Sequence, residues 1–231
     1  MAFVGPLIRW QDHSRAGALA MFAIGISGAS GAGKSLVALE FAGLLPGCGV
    51  MSMDSYYADL SSLPADKRAV VNFDSPEAVD WELLNLQFRR LRRGERVAVP
   101  KYDFATHTRT GVVQESGPWS VVVLEGLFAL WEPRIRARLD CAVFIDAPED
   151  VCLARRMARD VSLRGRTEAS VRDQWLRDVA PMYRTHVLPT RKNADLVVDG
   201  SRPPAESAGA ILREFRNRRP SSGGSSLHSN R

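Results

Sequence analysis

The sequence predicts an α/β protein, a three-layer sandwich in which helices cover a parallel central sheet on both faces. Three observations carry this expectation. Short apolar runs with few polar residues recur at Met21 to Ser27, Gly49 to Met53, Ser120 to Leu124, Cys141 to Ile145 and Leu196 to Val198. Segments of helical periodicity separate them, as parallel strands require of their connections. A glycine-rich turn joins the first strand to the first helix. With 231 residues and 45% hydrophobic side chains, the chain fills one core with decorations rather than two.

The elements follow in order. After the first strand, Lys34 to Leu45 carries Leu36, Leu39, Phe41 and Leu44 at helical spacing. The strand Gly49 to Met53 ends at Asp54. Pro76 to Arg93 reads as a helix with Ser75 as N-cap, Pro76 at its first position and Gly94 closing it. Arg96 to Tyr102 and Gly111 to Gln114 are short, alternating and turn-separated, a small β-hairpin excursion. A helix is expected near Glu132 to Leu139, and two more from Pro148 to Leu163 and from Glu168 to Leu188. The last of these has Val171, Trp175 and Val179 on one face and a kink at Pro181. A helix near Ala205 to Phe215 closes the fold. Residues 1–20 are weakly patterned and read equally as an extension, a short helix or a misplaced start. Residues 21–216 form the domain, and 217–231, rich in Ser, Gly, His and Asn, read as a disordered basic tail.

Charge and cysteine content narrow the function classes. The formal net charge is +5, but five arginines from Arg213 onward (Arg213, Arg216, Arg218, Arg219, Arg231) against Glu214 place +4 of it at the C-terminal end. The body is nearly neutral, so a specific nucleic-acid partner is not expected. Cys48, Cys141 and Cys152 are odd in number and lack disulfide or zinc spacing, which suits a reducing compartment. No stretch reaches the ~20 apolar residues of a membrane span, and the start lacks a signal-peptide pattern. A cytoplasmic protein with no membrane partner is the expectation.

Chemistry enters at the first turn. Gly28, Ala29, Ser30, Gly31, Ala32, Gly33, Lys34 and Ser35 fit the pattern GxxxxGK[ST], after an apolar strand and before a helix. Such a loop wraps its backbone N–H groups around phosphates, and the P-loop class follows, with ATP as donor and Mg²⁺ as its companion. Lys34 is placed to reach the β- and γ-phosphates and the Ser35 hydroxyl to ligate Mg²⁺. In an open parallel sheet the site lies beyond the carboxyl ends of the strands. Asp54 and Glu125 both end strands; Asp54 is assigned as the base for an acceptor hydroxyl, and Glu125 as the residue positioning metal or water.

The chain is similar to the uridine kinases, a branch of the group that also holds phosphoribulokinase and pantothenate kinase. The likeness runs from about Met21 to Asp195 through ordered segments: GISGASGAGKS ending at Ser35, MDSYY at 53 to 57, NFDSPEAVD at 72 to 80, VPKYDFATHTR at 99 to 109, VVLEG at 122 to 126, RRMARD at 155 to 160, RGR at 164 to 166 and LPTRKNAD at 188 to 195. The resemblance implies a kinase of the 5′-hydroxyl of uridine or cytidine, with a helical lid and a homo-oligomer, a dimer or tetramer. It implies that Asp54 is the catalytic base, that Asp74 binds the ribose hydroxyls, and that Tyr102 and His107 face the pyrimidine. Arg166 and Gln174 resemble further nucleoside contacts, with Tyr57 nearby. Arg156, Arg159 and Arg164 resemble arginines that close over the phosphates. Five arginines lie between 155 and 166 with only Asp160 to offset them, and Arg155 is expected on the solvated side. Phe104 and Trp81 read as packing residues. After Asp199 no stretch matches, so the adenine contact is unassigned.

Other acceptors compete within the same fold: nicotinamide riboside, ribulose 5-phosphate and pantothenate. The segment from Tyr102 to Arg109 favours a nucleoside. A nucleotide-binding regulator without catalysis is the other class, and the presence of both Asp54 and Glu125 argues against it.

Overall fold

The computed structural model describes residues 21–219. In chain order these form β1 (Phe22–Gly28), α1 (Lys34–Gly43), β2 (Cys48–Ser52), α2 (Ala65–Ala69), α3 (Trp81–Arg92), β3 (Val97–Asp103), β4 (Thr108–Ser116) and β5 (Val121–Glu125). Then follow α4 (Pro133–Arg136), β6 (Cys141–Asp146), α5 (Glu149–Arg164), α6 (Glu168–Gln174), α7 (Ala180–Met182), β7 (Leu196–Asp199) and α8 (Pro204–Arg218). The expected readings of residues 1–20 and of most of the tail lie outside the described residues. Among those described, no helix is long and apolar enough to cross a membrane.

The expected parallel sheet is present, in the order β2-β5-β1-β6-β7, and β3 and β4 pair antiparallel as a separate hairpin. Burial follows rank in the sheet. Every residue of β1 and β5 is buried, whereas the edge strands β2 and β7 expose part of theirs. Register sets the chemistry: Ile26 of β1 and Ser52 of β2 both lie beside Glu125 of β5, so three adjacent strands end at one level. Carboxylates at the sheet's edge fix strand starts. Asp140 accepts from the Ala23 N–H and Asp195 from the Ala142 N–H, each at 2.7 Å.

Four expectations need correction. The helix read from Pro76 begins later: Pro76–Ala78 is a single 3₁₀ turn, the chain extends at Val79, and α3 starts after Asp80, whose carboxylate accepts from Leu83 N–H at 3.0 Å. Ser75 makes no capping bond to the backbone. The turn is diverted because Val79 bridges Tyr57 and the Asp80 N–H reaches the Tyr56 carbonyl at 2.7 Å. Pro181 does not simply kink its helix. Wide π turns at Trp175–Val179 and Tyr183–Val187 flank α7, and the missing proline N–H is absorbed by that change of register. The helix near Glu132 shortens to α4, capped by Glu132. Finally, α8 runs to Arg218, past the expected boundary at 216, with Arg218 paired to Glu214 and Asp195.

A 3₁₀ turn at Met53–Tyr56, unforeseen in the sequence, leads directly from β2 into the site. Tyr56 is fully buried and donates to Gln87 of α3 at 2.6 Å, and Gln87 in turn donates to the Ala98 carbonyl of β3 at 2.8 Å. Sheet, α3 and hairpin are thereby tied at one point.

The two candidate caps are separable by mutation. Asp80→Ala, which also removes an ion pair to Arg109 at 3.0 Å, is expected to lower unfolding stability by about 1–2 kcal/mol in urea titration. Ser75→Ala is expected to change it by under about 0.5 kcal/mol, the range of substitutions away from such features. A larger loss for Ser75 would restore the earlier helix start.

Candidate active site

The phosphate loop follows β1, and its shape is fixed from behind. Gly31 has a left-handed backbone (φ +86°), and a Cβ there would collide with the Cys152 carbonyl oxygen of α5. Gly33 stands at the N-terminus of α1 with no capping side chain, so the first N–H groups of that helix stay available for an anion. Lys34 spans the loop and donates to the Ala29 carbonyl at 2.8 Å.

Beside the loop lie the two strand-end carboxylates. Glu125 is buried and accepts from the Ser35 hydroxyl at 3.1 Å. Burial and then the Asp54 charge push the Glu125 carboxyl above its ordinary range, against bonds from Ser52 and Ser35 and the charge of Lys34. Asp54 is raised too, first by burial, with Lys34, Arg164 and Arg159 opposing. Burial lowers Lys34, while Glu125 and Asp54 hold it up. One ammonium thus stands between two carboxylates that each resist ionisation. The oxygens of Ser35 and Glu125 are the hard donors Mg²⁺ takes, and no cluster of three or more His, Cys, Asp or Glu suited to a metal occurs among the described residues. Such a site fits a Mg²⁺ whose remaining oxygens come from phosphates and water.

A cleft of about 1250 Å³ opens from the loop. Arg156 crosses its floor, buried, donating to Ser30 Oγ at 2.7 Å, to both oxygens of Asp74 at 3.3 and 3.4 Å, and to Gln174 Oε1 at 3.0 Å. Gln174 also accepts from Arg166. Arg159, Arg164 and Arg166 line the same wall, gathered by the turn at Gly165, whose left-handed backbone (φ +63°) ends α5. At the far end stands an aromatic box. Tyr57 meets Phe73, Tyr102 and Phe104 with ring centroids 5.3, 5.4 and 6.5 Å away, and Phe73 stacks on His107 at 4.6 Å. The Tyr102 hydroxyl and His107 Nδ1 are buried without a partner. Burial lifts the Tyr102 phenol to about 12 and lowers His107, so a protonated phenol and a neutral imidazole face the site at pH 7.

Nearly every residue singled out from sequence meets in this cleft. Gly28 and Ala29 do not line it; they sit beneath the loop, Gly28 against β6 and Ala29 through its carbonyl to Lys34. Arg155, expected to be merely solvated, donates to the Gly200 carbonyl at 2.7 Å and reaches the rim. Phe104 is also more than packing, since the Arg164 guanidinium lies 4.7 Å over its ring. Sequence reasoning missed Phe73, whose only signal was its place next to Asp74, and the loop at Gly200 and Arg202, which lines the cleft beside Ala32 of the phosphate loop.

The model of the Phosphoribulokinase / Uridine kinase family matches residues 23–204. A uridine kinase of Aliivibrio fischeri is 42% identical over 181 residues, 76% of this chain and 84% of that protein. A uridine kinase of Deinococcus deserti is 41% identical over 179 residues, 77% and 86% of the two chains. Among solved structures, phosphoribulokinase from Rhodobacter spheroides superposes with a TM-score of 0.57 at 20% identity, covering 80% of this chain and 74% of that one. D-glycerate 3-kinase from Cryptococcus neoformans gives 0.57 at 18%, covering 84% and 90%. At those identities the structures speak to the fold.

The raised Asp54 carboxyl has a stability consequence. The folded state holds this proton more tightly than the unfolded chain, so stability falls as pH rises from about 3.9, the unfolded value, through the folded one. Asp54→Asn is therefore expected to melt at a higher temperature than the parent at pH 8, with the gain shrinking toward pH 4. A lower melting temperature at pH 8 would show that the ionised carboxylate stabilises the fold.

Proposed function

Because the chain belongs to the Phosphoribulokinase / Uridine kinase family, we propose that it transfers the γ-phosphoryl group of ATP to the 5′-hydroxyl of uridine or cytidine. One observation carries the choice of acceptor. The half of the cleft opposite the phosphate loop joins a buried carboxylate, Asp74, to an aromatic box of Tyr57, Phe73, Tyr102, Phe104 and His107. A flat base and a vicinal diol fit such a lining, and neither ribulose 5-phosphate nor pantothenate has a flat ring to stack.

The chain's residues divide the work. Asp74, whose two oxygens Arg156 already holds, accepts from the two ribose hydroxyls as well, and a deoxyribose would forfeit one of these bonds to a buried carboxylate, a loss of ~1–3 kcal/mol. Tyr102 and His107 supply the donor and acceptor that the base edge needs. Asp54 takes the 5′-hydroxyl proton as that oxygen attacks phosphorus and the bond to the β-phosphate bridging oxygen breaks. Burial makes Asp54 a stronger base than an exposed aspartate. Lys34, Arg159 and Arg164 meet the charge on the phosphoryl oxygens. Ser35 and Glu125 would hold Mg²⁺, which when bound supplies charge neutralisation at the β- and γ-phosphates.

The test is ATP consumption with uridine, cytidine, adenosine, nicotinamide riboside, ribulose 5-phosphate and pantothenate. Turnover on uridine or cytidine is expected, and Asp54→Asn is expected to cut kcat by about 10²- to 10⁴-fold, the usual share of a general base. Turnover on another acceptor alone would overturn the nucleoside reading. Asp74→Ala should raise the nucleoside KM by about 5- to 100-fold, and an unchanged KM would remove Asp74 from the ribose. The acid limb of kcat/KM should lie above the ordinary aspartate value of about 3.9, because Asp54 must be ionised to accept a proton.

A further inference from the structure

The arginines of the cleft wall share one counter-ion that the cleft does not expose. Asp160 is fully buried on α5, behind the wall, and is not among the residues that line the cavity. Its Oδ1 lies 2.8 Å from Arg159 Nε and 3.4 Å from Arg164 Nη1; its Oδ2 lies 3.5 Å from Arg156 Nε and 3.9 Å from Arg166 Nη1. Only the Arg159 contact has hydrogen-bond geometry, and Oδ2 and Arg156 Nε each lack such a partner. The Asp160 carbonyl also accepts the N–H groups of Gly165 and Arg166, which brings Arg164 and Arg166 back toward its side chain.

This arrangement is unusual in its balance. Four guanidinium groups converge on one carboxylate, and Asp74 offsets only Arg156. A surplus of positive charge remains, and the side chains of Arg159, Arg164 and Arg166 are still 38, 34 and 29% exposed, open to the cleft. The crowding is visible in Arg164, whose pKa is lowered first by burial and then by Arg159. A loose, shared counter-ion holds long side chains in place; Arg166 also donates to Gln174 and to the Ser170 carbonyl, while the outer N–H groups of Arg159 and Arg164 are left for another anion.

We propose that Asp160 is a positioning residue for phosphoryl transfer: an internal anion that pre-aligns Arg159, Arg164 and Arg166 and competes with the phosphates for them. It touches no substrate and acts through the arginines. Two effects follow with opposite signs. Removing its charge frees the arginines, so a polyphosphate binds more tightly. Removing its alignment leaves them to be ordered during the reaction, so turnover slows. A residue that merely supported the fold would weaken both.

The inference rests on the kinase reading, and the experiment separates the two. On the full chain, the binding of inorganic tripolyphosphate and steady-state kinetics with ATP are measured for the parent, Asp160→Asn and Asp160→Glu. Parent turnover on a pyrimidine nucleoside tests the reading; the variants test Asp160 with whichever acceptor the parent uses. Asp160→Asn is expected to bind tripolyphosphate roughly 3- to 10-fold more tightly, as loss of one nearby negative charge implies, while kcat falls at least about 10-fold. Asp160→Glu keeps the charge and shifts it by a methylene, so tripolyphosphate affinity should stay within about 2-fold while kcat falls. Weaker or unchanged tripolyphosphate binding by Asp160→Asn, or an unchanged kcat, would overturn the proposal. Should Asp160→Asn fail to fold, Asp160→Glu decides: parental kcat, or affinity and kcat lost together, would overturn it.

Discussion

Arg156 is the constraint around which the rest of the cleft is arranged. Its guanidinium is buried, and a buried cation is tolerated only where anions and acceptors surround it. Here they come from four different parts of the chain: Ser30 of the phosphate loop, Asp74 before α3, Gln174 of α6 and Asp160 of its own helix. Satisfying this one group fixes the distance between the donor loop and the acceptor wall. The two halves of the cleft are thereby held in one fixed relation.

The sheet supplies the other half of the arrangement. Parallel pairing in register brings the ends of β1, β2 and β5 to one level, so Lys34, Asp54 and Glu125 meet although far apart in sequence. Their meeting is costly. A half-buried carboxylate, Asp54, and a buried one, Glu125, are both held above their ordinary range, so ionising them works against the fold. Such strain is characteristic of sites shaped for reaction rather than for stability.

In the proposed reaction, acceptor recognition falls to the β3–β4 hairpin and the loops facing it, which are grafted onto this frame. The link from Tyr56 through Gln87 to Ala98 secures the hairpin to the body, and the aromatic rings of Tyr57, Phe73 and Tyr102 close over the far end of the cleft. The donor half follows from the fold that this chain shares with other kinases, whereas the acceptor half depends on a decoration that the fold alone does not specify.

The sequence by itself determined whatever depends on neighbouring residues. The spacing of glycines with Lys34 and Ser35 dictates the phosphate loop, the apolar runs dictate the strands, and Asp54 and Glu125 at strand ends follow from both, because backbone geometry converts local spacing directly into shape. Tertiary structure decided what depends on distant partners. Ser75 read as the cap of the helix, and only contacts with Tyr56 and Tyr57, which divert the chain, move the start to Asp80. Arg156 and Asp74 lie 82 residues apart, and nothing in either segment announces the pair. Asp160 looked like one acid diluting five arginines, and only its burial beneath four of them shows it as their common anchor. Charge is written in the sequence, but desolvation, which decides how strongly a charge acts, exists only once the chain has packed.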